Sequence, residues 1–135
     1  MSNTYVLELT EDHVEIVRRA CEVYARLLMG QFQELTFEVT RHGRKHKITC
    51  ADKDMANDML YQARRMLYPD LQGWGHSYGV RDIDFAAKSF EVHQAIQYVR
   101  AWHNHPEGGV SLSFDEPMPL SGEKLPKCRI ERTQS

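Results

Sequence analysis

The chain has 135 residues, 41% of them hydrophobic and 27% charged, with a formal net charge of −2. That is material for one globular domain, 1–135, and it offers no global attraction to nucleic acid or to an anionic membrane. No apolar run approaches the roughly 18 residues of a membrane span, Met1-Ser2-Asn3-Thr4 is no signal peptide, and Cys21, Cys50 and Cys128 lie too far apart to suggest a paired framework. A reducing, cytoplasmic setting is therefore expected.

In chain order, Tyr5 to Leu9 alternates as a short strand would. Thr10 caps a helix over about 11–29, with Glu11 and Asp12 in its first turn and Gly30 as its stop. Its apolar stripe is broad enough to predict packing on two sides and self-association, most simply as a homodimer. Leu35, Phe37 and Val39 alternate with Glu34, Thr36 and Glu38, and His42-Gly43 supplies a turn. The pattern predicts a β-hairpin over about 34–50. A second helix is expected over about 52–67, ended by Pro69, with methionines as an adaptable core. The glycine-punctuated stretch PDLQGWGHSYGVRD is a loop of functional length, and Asp84 opens a third helix over 84–104. Gly108-Gly109 turns the chain into a short strand at Val110, Leu112 and Phe114. From about 115 the proline-bearing tail is extended. The fold class so predicted is α+β.

Most catalytic chemistry finds no support in these residues. Cys21 and Cys50 fall on inward positions, where thiols are ordinarily inert, and no nucleophile elbow or phosphate-binding glycine motif occurs. His103-Asn104-His105-Pro106 resembles the HxHP of zinc-dependent JAMM-type hydrolases, which marks His103 and His105 as weak metal candidates. The acid that should follow Ser113 at the family's spacing stands one position short, at Asp115. A metal-dependent hydrolase is thus the least favoured alternative, and no cofactor is expected.

Several stretches together resemble a family of small proteins from tailed bacteriophages and prophages: VYARLLMGQF at 23–32, LYPDL at 67–71, HSYGV at 76–80, and the run VHQAIQYVRAWHNHPEGGVSLSFDEPMPLSGEKLP from Val92. The resemblance covers most of the chain outside the basic segment. It departs at Gln97 and Tyr98, where the family carries a basic pair, and at His103, where it carries an acid. It implies a viral origin and a host-cytoplasm setting, and no particular activity.

A small phage protein without a catalytic set is expected to act by binding, as a trap for a host nucleotide signal or an inhibitor of a host defence protein. Its partner would be a small anionic ligand or that host protein. Such a site needs aromatic faces for bases and arginines for phosphates. Trp74, His76 and Tyr78 of the loop, with Gln94, Tyr98, Arg100, Trp102 and His103 of the last helix, are expected to line one pocket. The alternative is nucleic-acid binding through the basic segment 41–47, by Arg41, Arg44, Lys45 and Lys47.

Overall fold

The computed structural model describes residues 3–132. Helix α1, Glu11–Leu28, starts where expected. The Thr10 hydroxyl accepts from the His13 amide at 3.3 Å, and two acids occupy the first turn. It stops at Gly30, whose φ of 97° lies in the left-handed region and whose missing side chain makes room for Leu71, 2.5 Å from where a Cβ would stand.

The expected hairpin is replaced by helix. Residues Gln33–Glu38 form α2, which runs on into a π-helical turn, Val39–Gly43. No strand occurs among the described residues, so the α+β class is corrected to an all-helical one. The same correction holds for the strands expected at Tyr5–Leu9 and at Val110–Phe114; the latter contains a 3-10 turn, Leu112–Phe114. The physical reason lies in α1. Glu34 and Glu38 are one helical turn apart, and the Arg19 guanidinium reaches both, at 3.2 Å for Glu34 and in close contact with Glu38. That clamp overrides the strand-like alternation of Leu35, Phe37 and Val39, whose β preference depended on a sheet to join. Gly43 does not take the positive φ that a two-residue hairpin turn requires.

Helix α3, Cys50–Leu67, begins two residues before the expected start because Thr49 and Asp52 form a reciprocal capping box. Helix α4, Asp84–Asn104, matches its expected span. It lies antiparallel to α1: Arg100 meets Glu11 and Glu15, Arg18 meets His93, and the Ser89 hydroxyl donates to the Cys21 carbonyl at 2.6 Å. The small contact residues Ala25, Ala86, Ala87 and Ala95, with Ile96, are the buried apolar core.

Two further devices complete the fold. The loop after α3 is pinned by Arg64, fully buried, whose Nη2 donates to the carbonyls of Gly73 at 2.6 Å and His76 at 2.8 Å. The tail is a strap along α4. Buried Glu91 accepts from the amides of Leu120 and Ser121 and from the Ser121 hydroxyl, while Gln94 accepts from the Met118 amide. Among the described residues no helix is long and apolar enough to cross a membrane.

Candidate functional site

A cleft of about 720 Å³ is lined by residues of α1, α2 with its π-helical extension, and α3. One wall follows from helical periodicity. Gln33, Thr36 and Thr40 stand at i, i+3 and i+7 on α2 and its π-helical extension, hence on one face. Opposite them, Lys53 and Asn57 are one turn apart on α3. Arg19 and Arg26 of α1, with Glu34, Phe37 and Arg41, complete the lining.

Four of the five buried side-chain polar atoms left without a hydrogen-bond partner among the described residues belong to this cleft: Gln33 Oε1, Thr36 Oγ1, Thr40 Oγ1 and Asn57 Oδ1. Buried polar groups are nearly always paired, and each orphan costs about 1–3 kcal/mol. Four on the lining of one cleft mark a seam kept polar against the interest of stability.

The charges divide into two groups. Arg19 and Arg26 are committed: Arg19 to Glu22 at 2.8 Å and to Glu34 and Glu38, Arg26 to Glu22 at 3.1 Å and Glu34 at 3.8 Å. Burial alone would raise the Glu22 carboxyl, but the hydrogen bond from Arg19 and the surrounding cations hold it below the usual carboxylate range. Arg41 and Lys53 have no carboxylate partner among the described residues, and the Arg41 guanidinium lies over the Phe37 ring at 4.8 Å. The cleft lining thus combines amides, hydroxyls, an aromatic ring and two cations without a carboxylate partner among the described residues. The lining supplies contacts for recognition and holds no His, Cys or Ser.

No family model, curated protein or solved structure matches the chain. The reading of the site therefore rests on its geometry.

The residues singled out from sequence are placed elsewhere and apart. Trp74 packs edge-on to Tyr61, with ring centroids 5.2 Å apart, and over the Arg64 guanidinium at 5.1 Å. His76 contributes its carbonyl to Arg64 and leaves its ring exposed. Tyr78 donates its hydroxyl to Asp70, whose carboxylate pushes the phenol up to about 12, while its amide bonds the Met29 carbonyl at the end of α1. Gln94 is occupied by the strap. At the far end of α4, Tyr98 and Trp102 pack edge-on, and the Trp102 Nε1 donates to the Phe114 carbonyl at 3.1 Å. Arg100 is held by Glu11 and Glu15. His103 is exposed. The loop thus sits at the C-terminal end of α1 and the helix end at its N-terminal end, separated by most of the 21-residue length of α4, roughly 25–30 Å. They do not line one pocket.

His105 lies 3.6 Å from Glu107, and among the described residues no group of three His, Cys, Asp or Glu side chains converges. Of the basic segment, Arg41 lines the cleft, while Arg44, Lys45 and Lys47 are exposed in the connection to α3. The hairpin expected over about 34–50 hides the orphaned polar wall, because period-two alternation places Gln33, Thr36 and Thr40 on different faces. A helical reading of the same residues lines up Gln33, Thr36 and Thr40 at once.

Proposed function

We propose that the protein is a non-enzymatic binder of a small anionic, nucleotide-like ligand, held in the cleft between α2 and α3. The observation that carries this reading is the set of four unpartnered buried polar atoms on residues that line that cleft, three on α2 and its extension and one on α3. A flat heterocycle presents donors and acceptors along its edge, which is the complement of Gln33, Asn57 and two threonine hydroxyls. Phe37 supplies a ring for stacking, and Arg41 and Lys53 supply the charge that phosphate needs. Combined with the resemblance to phage proteins, the function is sequestration of a nucleotide signal in the cytoplasm of a bacterial host.

The test is equilibrium dialysis of the full chain against a panel of mononucleotides, nucleoside triphosphates and cyclic nucleotides. At least one member should bind, and Asn57→Leu should abolish that binding while leaving the circular dichroism spectrum unchanged. Absence of binding by every member at concentrations up to about 1 mM, where affinity falls to about 4 kcal/mol, would remove the reading.

A second reading draws on one observation. Arg41, Arg44, Lys45 and Lys47 are exposed and have no carboxylate partner among the described residues, which suits a nucleic-acid backbone. Binding of that kind should weaken steeply with salt, and alanine at these four positions should flatten the dependence.

A further inference from the structure

The four unpartnered oxygens of the cleft lining are out of contact with solvent, although Gln33, Thr36, Thr40 and Asn57 are only half-buried as residues. A ligand lying in the cleft as it stands touches the walls without reaching those atoms. Their use in recognition requires one wall to move, and the attachments of the two walls decide which.

Helix α3 is tied to the body of the fold. Arg64 near its end is buried and bonded to the carbonyls of Gly73 and His76, and the Tyr68 hydroxyl just beyond it donates to the Leu28 carbonyl of α1 at 2.8 Å. The other wall is held lightly. Neither α2 nor its π-helical extension contains a buried residue, and Leu35, Phe37 and Val39 are 49%, 50% and 44% exposed. Among the described residues no hydrogen bond or ion pair joins 33–43 to α3. Its carboxylates are bonded to α1 instead: Glu34 and Glu38 to Arg19, and Glu34 to Arg26 at 3.8 Å. Elements with few buried apolar contacts open locally at far lower cost than the whole molecule unfolds.

We infer that α2 with its extension is a lid over the polar seam, latched to α1 by Arg19 through Glu34 and Glu38. Lifting the lid from α3 opens the four oxygens to a ligand, and closing it surrounds the ligand with them. The inference deepens the proposed function and rests on it for what the lid admits. Because the latch is ionic and only partly buried, added salt favours opening.

The test needs no ligand. Thr36→Cys places a thiol on the seam, and its labelling by iodoacetamide, followed by peptide mass spectrometry, reports exposure of that wall; Thr40→Cys repeats the measurement at a second position. Exposed Cys50 and half-buried Cys21 are references within the same molecule. The introduced thiol should react more slowly than Cys50. Glu38 lies outside the cleft lining, so Glu38→Gln removes a latch charge and leaves the seam intact. It should speed labelling of the introduced thiol roughly five- to tenfold, with Cys21 unchanged. Sodium chloride at about 0.5 M should speed labelling more with Glu38 present than with Glu38→Gln. Labelling at the rate of Cys50 before the latch is altered, labelling that ignores Glu38→Gln, or an acceleration matched at Cys21 would each overturn the lid. The two failures stay separate: expected labelling with no nucleotide bound in dialysis removes the binding reading, whereas bound nucleotide with labelling that ignores Glu38→Gln removes the lid alone.

Discussion

His93 shows how a single buried side chain ties this protein to pH. It is buried between α1 and α4, and the Arg18 guanidinium donates to its Nδ1 at 3.1 Å, so that nitrogen must be the acceptor of a neutral ring. Burial lowers its pKa below the ordinary 6.5 against the opposing pull of Glu22, and the charges of Arg18 and Arg26 add to the lowering. The unfolded chain therefore takes up a proton first as pH falls. Stability is complete above about pH 6.5 and declines below it, towards the depressed pKa of the folded state. His93→Gln keeps an acceptor for Arg18 without titrating, so its melting temperature should be flat from pH 7 to 5 while the wild type drops. A second loss follows at lower pH. Glu15, held to about 2 chiefly by its hydrogen bond from Arg18 and further by Arg100, gives up its contribution as pH falls from 4.5 towards 2. Glu91 acts on the strap in the same local way. Burial opposes its charge, yet the Ser121 hydroxyl and two amides keep the carboxyl below its usual range. Glu91→Gln puts an amide donor among donors, and should raise hydrogen exchange across 118–123 without unfolding α4. Unchanged exchange there would mean that the strap is held by other contacts.

At the scale of elements, α2 is the piece that tertiary charge pairing decides. Arg19 spans Glu22 of its own helix and Glu34 and Glu38 of α2. Arg19→Met, which keeps the apolar stem and removes the fork, should release α2 and cost about 2–4 kcal/mol, since it strands several partly buried carboxylates. Circular dichroism should lose about two turns of helix, and retention of full helicity would show that α2 stands without the clamp. The same residues explain what the sequence made legible. Helices with local signals were read almost to the residue: Thr10 and Gly30 bound α1, Pro69 follows α3, and the apolar repeat of α4 runs its whole length. The segment 33–43 carried only a period-two apolar pattern, and its helical state comes from an arginine fourteen residues upstream of the element. The cleft wall was hidden by the same misreading. The expected pocket failed for a different reason. Rings at either end of α4 are close in composition and distant in space, because a helix keeps its ends apart by its own rigid length.

The whole molecule is organised around two surfaces that a lone, stability-optimised chain would not keep. One is the outer face of α3, where Met55, Met59 and Met66 stand exposed. The other is the polar seam of the cleft, where four buried polar atoms have no hydrogen-bond partner among the described residues. Natural sites commonly give up stability where a ligand must be recognised. Thr36→Val with Thr40→Val tests that exchange directly, because threonine and valine are close in shape and in helix propensity. The decisive measurement is a thermal melt of wild type and double variant, each with and without the nucleotide that dialysis selects. The account predicts that the variant alone melts higher, by about 1–3 kcal/mol in stability for the pair, and that nucleotide raises the melting temperature of the wild type only. A variant that melts lower and is still stabilised by nucleotide would contradict it.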